Sequence, residues 1–322
     1  MAAIHDARLG IDGVDPSDSY EMVGAASEFE EALSEQLKND TLCQRPVVEV
    51  GREIVAYGKI EQWKEGDGTN VYLLMGWVHP RARGRGIGTA LLSWLEGEAA
   101  ALAQRDHPGE PSEFAGNASS TETSATKLLT DAGYRAAYTV AELRLDSSSH
   151  AEARAPALPD GLVIVAPGKD DYRKLTGTVV TAFAKEYSEG RFDEPVDPGE
   201  YEESLSDDDR EPSLWRIVKR GDEIVAVALC DARTDAMAEV VELAVSPDWR
   251  RRGIARALMT ATIDAAIAAG FRELRVYTIE QFQTRAIQLY QSLGFARYKD
   301  FPRYRKPMPG LPPRTLDARI GA

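Results

Sequence analysis

The chain has 322 residues, 43% of them hydrophobic and 28% charged, and carries a formal net charge of −14 at pH 7. That length suits about two domains of ~150 residues, and the composition supports folded cores, so wholesale disorder is excluded. The acidic balance argues against a general nucleic-acid surface, which needs clustered Lys and Arg, and no run approaches the ~18 apolar residues of a membrane span.

The first segment, MAAIHDARLGIDG, lacks a basic region followed by an apolar run, so a cytoplasmic location is expected. Cys43 and Cys230 fit no metal or redox spacing; Cys230 ends an apolar run and reads as a small buried hydrophobe. His5, His79, His107 and His150 fit no ligand or triad spacing and are expected on the surface or in loops. Trp63, Trp94, Trp215 and Trp249 are expected to pack rather than to form a nucleobase platform.

From residue 47 onward one unit occurs twice. VVEVGREIVAYGKI (47–60) parallels RIVKRGDEIVAVAL (216–229), each a strand, a glycine turn and a second strand. VHPRARGRGIGTALLSWLE (78–96) parallels VSPDWRRRGIARALMTATI (245–263), and TKLLTDAGYRAAY (126–138) parallels IQLYQSLGFARYK (287–299). The copies lie 170 residues apart at Gly51/Gly221, 167 at Gly86/Gly253 and 161 at Gly133/Gly294. The shrinkage places extra residues in the first copy, mostly in the polar stretch 104–124, read as a long loop with one short apolar element. DSSSHAEARAPALPDG (146–161), rich in Ser, Ala and Pro, supplies a linker, giving an N-terminal domain at 1–148, a linker at 149–160 and a C-terminal domain at 161–322.

Each copy reads as helix, antiparallel strands, loop, helix, strand, helix, strand, which makes an α/β unit with a mixed sheet. The helix after Gly253 carries an apolar stripe at Ile254, Ala257, Leu258, Ala261 and Ala265 and stops at Gly270. A shorter helix sets Ala286, Leu289, Tyr290 and Leu293 on one face.

Two loops carry chemistry. In Arg250-Arg251-Arg252-Gly253-Ile254-Ala255, followed by Arg256, and in Arg83-Gly84-Arg85-Gly86-Ile87-Gly88, an apolar strand gives way to a helix through arginine and glycine. Small residues leave backbone N–H groups uncovered, the helix N-terminus adds partial positive charge, and arginine adds charge-assisted contacts, so each loop can hold a pyrophosphate. Neither loop has the glycine spacing of a P-loop or a dinucleotide-binding turn.

The V-x-P-x-x-R-x-x-G-x-[GA] pattern in both copies, with Leu289-Tyr290-Gln291-Ser292-Leu293-Gly294-Phe295 in the second, resembles the GNAT acyltransferase superfamily. In its doubled form the chain resembles the tandem GNAT proteins that include mycothiol synthase. The resemblance implies two tandem domains, each a mixed, mostly antiparallel sheet flanked by helices, and acetyl-CoA lying between two splayed strands. Leu243, Ala244 and Val245 would hold its pantetheine arm, and the Arg250–Arg256 segment its pyrophosphate. It further implies Tyr290 as general acid and Glu239 as base; the alternatives from the residues alone are a core aromatic and a solvated strand glutamate. Unbroken pleat alternation would set Glu239 with Val241, Leu243 and Val245 and turn Glu242 to the other face, unless a bulge intervenes.

Carried through the repeat offsets, Glu239 maps to Tyr72, Glu242 to Met75 and Tyr290 to Leu129. The first copy is therefore expected to bind cofactor or to be structural, with the chemistry in the second. Relatives often have asparagine before the tyrosine helix, where this chain has Glu280-Gln281-Phe282-Gln283. The acidic stretch 182–215 is either a rim attracting an amine or a solvated surface. The function expected is acetyl transfer from acetyl-CoA to a small-molecule amine by a monomer or homodimer. The alternatives are a non-catalytic acyl-CoA sensor or partner-binding protein, and a peptide or protein N-acetyltransferase.

Overall fold

The computed structural model describes residues 1–18, 20, 45–149, 157–188, 197–208, 210–281 and 285–312. Cys43, His150, Phe282 and Gln283 lie outside these, as does much of the expected linker and acidic stretch. The chain forms two compact units, residues 1–139 with 300–322 and residues 140–299.

In the first unit, helix α1 (Ala2–Asp12) precedes an antiparallel meander of β1 (Val47–Val50), β2 (Glu53–Lys64) and β3 (Asn70–Val78). Helix α2 (Ile87–Asp106) crosses to β4 (Ser112–Asn117), parallel to β3, and helix α3 (Thr123–Asp131) leads into β5 (Arg135–Asp146). β4 falls in the stretch expected to be a loop. Its residues Ser112–Gly116 are buried, and SEFAGN has none of the β-branched residues that mark a strand in sequence. The last strand of this sheet is Arg303–Pro307 of β11 (Ala296–Pro307), antiparallel to β4.

The second unit repeats the plan: β6 (Val163–Val165), α4 (Tyr172–Ser188), α5 (Pro198–Ser204), β7 (Arg216–Arg220), β8 (Glu223–Ala232), β9 (Met237–Val245), α6 (Ile254–Ala268), β10 (Glu273–Ile279) and α7 (Ala286–Ser292). β6, β7, β8 and β9 are antiparallel in that order, β10 is parallel to β9, and Val140–Asp146 of β5 closes the sheet against β10. The last strand of each sheet thus comes from the other copy, and the chain changes unit inside β5 and again before β11 pairs with β4. Of the expected linker, the described residues 149 and 157–160 lie within the second unit.

Apolar residues divide the second sheet's two faces. Ala238 and Val240 pack with Met259 and Ile263 of α6 and Tyr290 of α7. On the opposite face Leu229 and Ala244 pack with Leu175 and Val179 of α4, Leu205 after α5, and Trp215. Among the described residues no helix is long and apolar enough to cross a membrane.

Candidate active site

β10 pairs with β9 only from Glu273/Met237 to Val276/Val240, after which β9 runs on to Val245 and β10 to Ile279 without pairing. At the point of parting the β8–β9 register shifts: Leu229 faces Glu242 and Cys230 faces Val240, leaving Val241 as the extra residue of a β-bulge. Directly opposed residues share a sheet face. Glu239 opposes Asp231, whose carboxylate accepts a hydrogen bond from Trp215 Nε1 at 2.9 Å, and Glu242 opposes Leu229. Leu229 and Trp215 belong to the core under α4 and α5, so both glutamates point to that face. The alternation that would send Glu242 to the other side is overturned by the bulge, and Glu239 does not share a face with Leu243, which packs on the α6 side.

The two glutamates differ in what they touch. Glu239, 8% exposed at its side chain, accepts from Arg233 Nε at 3.0 Å and lies between Asp231 and Arg275 across the ladder. Glu242, half-buried beside the parting strands, accepts from Tyr201 Oη at 3.4 Å. Burial pushes the Glu242 carboxyl up to about 7, against the Tyr201 hydroxyl, the Leu243 N–H and the charge of Arg210, which all favour the carboxylate. Tyr290, 4% exposed and packed on Phe295 with ring centroids 5.9 Å apart, is raised above the ordinary phenol range, first by burial and then by the Glu242 charge. Glu242 thus stands on β9 just past Val240, the last residue paired with β10, and Tyr290 lies in the core that contains Val240. The sequence contained both glutamates; the bulge that brings Glu242 onto the face of Glu239 leaves no signature in AEVVELAV.

Both arginine/glycine loops have one geometry. Each follows a one-turn 3₁₀ helix (Pro80–Ala82, Pro247–Trp249) and ends on a glycine, Gly86 or Gly253, at φ 79°, whose helix carries no side-chain cap. First-turn N–H groups of α2 and α6 thus have no capping side chain, which suits a phosphate. The arginines have separate tasks. Arg83 and Arg250 donate through Nε to the end of the preceding strand, Val78 O at 3.2 Å and Val245 O at 3.1 Å. Their outer nitrogens turn to Asp12 in the first unit and to the Ala182 carbonyl in the second, so they brace the loop instead of reaching outward. Arg252 donates to Asp248 O and lies 5.0 Å from the Trp249 ring centroid, while Arg256 reaches Ser292 Oγ at 2.6 Å, tying α6 to the helix of Tyr290. Arg85 and Arg251 are exposed and have no side-chain partner among the described residues.

The first unit opens at the equivalent place: β3 and β4 pair as far as Leu73/Ala115, 167 and 161 residues before Val240/Val276. A cavity of about 450 Å³ lies there, lined by the end of β3 from Leu74 to Val78, by Gly84, Gly86 and Gly88, and by Leu128 of α3. Its size, its apolar wall and its uncapped helix end fit the arm and pyrophosphate of an acyl-CoA. The β2–β3 ladder keeps one register without a bulge, and Tyr72 and Leu129 are core residues. His5, expected at the surface, is 2% exposed: its Nε2 meets Tyr57 Oη, and Nδ1 accepts from Arg8. Helix α1, unrecognised as such in the sequence, buries it.

Two parallel strands that part above an uncapped, glycine-led helix are an arrangement that suits an acyltransferase. The chain belongs to the Acetyltransferase (GNAT) family, whose pattern matches residues 15–106 and 178–295, and it is an acyltransferase. It is 27% identical over 303 residues to a mycothiol acetyltransferase of Kineococcus radiotolerans, covering 91% of this chain and 90% of that one. To one of Clavibacter michiganensis it is 29% identical, over 68% of this chain and 67% of the other. The fold is similar to a GCN5-related N-acetyltransferase from Sphaerobacter thermophilus, with TM-score 0.71, 22% identity and 97% and 94% of the two chains covered. It is also similar to a tandem GNAT protein from the clavulanic acid biosynthesis pathway, with TM-score 0.57, 15% identity and 82% and 84% covered.

Proposed function

We propose that the chain transfers an acetyl group from acetyl-CoA to the amine of a small molecule in the cytoplasm, with one chemical centre, in the second unit. The observation that carries this reading is the parting of β9 and β10 after Val240, with Glu242 two residues beyond it on β9 and Tyr290 in the core that contains Val240. Glu242 replaces Glu239 as the proposed base.

When bound, acetyl-CoA supplies an electrophilic thioester carbon and a thiolate leaving group. The α6 first-turn N–H groups and Arg251 would hold its pyrophosphate, and the backbone of Leu243, Ala244 and Val245 its arm. Glu242 takes one proton from the acceptor's ammonium so that the neutral amine forms the C–N bond; as the C–S bond breaks, Tyr290 Oη gives its proton to the departing sulfur and is restored by the second proton the nitrogen sheds. Exposed Glu200, Glu203, Asp207 and Asp208 form an acidic margin that favours a cationic acceptor. The likeness to mycothiol acetyltransferases makes a mycothiol-related amine the first acceptor to assay. The first unit keeps the cavity and the loop but has Tyr72, Met75 and Leu129 at the three chemical positions, which supports binding without turnover.

A thiol-release assay with acetyl-CoA and a panel of small amines tests this. Glu242→Gln and Tyr290→Phe are each expected to lower kcat/KM by roughly 10²-fold or more, the scale of a lost general base or acid. Undiminished activity in either variant would remove that residue from its role.

A further inference from the structure

We infer that Tyr201 is a positioning residue for Glu242, holding its carboxylate toward the opening and easing its ionisation; this deepens the reading of Glu242 as the base. The local structure makes Tyr201 a fixed donor. Helix α5 is only Pro198–Ser204, but it is anchored at both ends. Asp197 caps its start by accepting from Gly199 N at 2.8 Å and Glu200 N at 3.0 Å, and Leu205 just beyond it is 0% exposed. Tyr201 packs into the same core as Tyr172, Leu175, Val179 and Trp215, so its ring lies against α4 and its hydroxyl reaches the Glu242 carboxylate. Ser204 Oγ donates to Tyr201 O at 2.8 Å and closes the turn from which the side chain springs.

The groups facing Glu242 can be named. Tyr201 on α5 and the Leu243 N–H donate to it, Arg210 in the segment before β7 adds positive charge, and Tyr290 on α7 interacts with its charge. Along the same face Glu239 on β9 is paired with Arg233, and Asp231 on β8 with Arg210. Of the groups that favour the carboxylate, Tyr201 is the side chain in hydrogen-bond contact, and it comes from an element outside the sheet. A hydroxyl donating to a carboxylate stabilises the charged form and lowers its proton affinity. Without it, burial would act with less opposition, and Glu242 would hold its proton to higher pH.

The test is a ¹³C titration of glutamate-labelled protein, with Glu242→Gln identifying the resonance and Tyr201→Phe, which keeps the ring and its packing, as the probe. The Glu242 midpoint is expected to rise by about half a pH unit or more in Tyr201→Phe, within what a hydrogen bond to a charged group can contribute. The acid limb of kcat/KM should rise with it, giving about threefold less activity at pH 6 and little change on the alkaline plateau. Tyr201→Leu, lacking the hydroxyl and the ring, should shift the midpoint in the same direction. A midpoint unmoved or lowered in both variants overturns the inference. Full activity in Glu242→Gln together with the expected shift would instead overturn the reading of Glu242 as the base and leave the Tyr201 contact standing.

Discussion

Arg83 grips Asp12 with both outer guanidinium nitrogens, at 2.6 and 2.7 Å, whereas its counterpart Arg250, 167 residues on, gives the same edge to the carbonyl of Ala182. Ala182 lies 170 residues after Asp12, the offset of the Gly51/Gly221 turns, so a side-chain carboxylate in the first unit does the work of a backbone carbonyl in the second. α1 ends at Asp12, where Gly13 takes a left-handed φ of 63°, while α4 continues to Ser188. The loop brace of the first unit therefore contains an ionisable group.

Asp12 gives that brace a pH dependence. Burial raises the carboxyl, but hydrogen bonds and charges from Arg83 and Arg8 outweigh it and hold Asp12 below the ordinary carboxylate range. A depressed folded value means stability that is fully present above the unfolded pKa, about 3.9, and is lost as pH falls through the folded one. Asp12→Asn leaves two arginines facing a neutral amide and is predicted to cost roughly 3 kcal/mol at pH 7, the scale of removing one partner of a buried pair. Urea unfolding at pH 7 and pH 3 checks it: the gap between wild type and variant should narrow at the lower pH. A gap of equal size at both would show that charge is not what holds α1 to the loop.

The two strand glutamates separate by pH and by variant. With Glu242 pushed up to about 7, activity should rise with pH through neutrality as its carboxyl ionises. Glu239→Gln weakens the contact to Arg233 and should lower stability by about 1–2 kcal/mol while leaving the position of that limb unchanged. A limb displaced by Glu239→Gln would return the base to Glu239.

The repeat, both arginine/glycine loops and most of the helices were legible in the sequence because each is local: glycine at a turn, a 3.6-residue apolar period, a strand running into an uncapped helix. Three features were not. The bulge at Val241 reverses the faces downstream of it, and period-two reading assumes an unbroken register. The exchange of β5 and β11 between the sheets depends on which edge a strand meets, and no strand encodes its partner. Arg83 and Arg250 read as phosphate ligands because charge and glycine are visible in sequence, whereas the carbonyls and the carboxylate that engage them are 5, 68 and 71 positions away.

Arg251 is predicted to combine a local cost with a functional gain. It adopts a left-handed φ of 63° where the first loop has Gly84 at 73°, a conformation that costs a residue with a Cβ about 1 kcal/mol. Arg251→Gly should therefore leave the melting temperature unchanged or raise it slightly. Coenzyme A affinity in the second unit should fall about tenfold at low salt, and by less at high salt, as expected for an exposed guanidinium on a phosphate. Calorimetry at two ionic strengths distinguishes this from a bystander, whose removal would leave affinity unchanged at both.

The two loops also allow the units to be tested separately. Gly86 and Gly253 hold the same φ of 79°, and no atom lies within 4 Å of where a Cβ would stand, so valine there is disfavoured by backbone conformation alone. Gly86→Val should turn the first N–H groups of α2 away from the first cavity, and Gly253→Val should do the same to α6 in the second unit. Native mass spectrometry with coenzyme A is expected to show two molecules per chain in the wild type and one in either variant. Turnover should survive Gly86→Val within about twofold, since that unit has Met75 and Leu129 where Glu242 and Tyr290 stand, and should be lost in Gly253→Val. Loss of turnover in Gly86→Val with the second site still filled would mean that the first cavity serves the chemistry, and that binding and catalysis are not divided between the units as these residues imply.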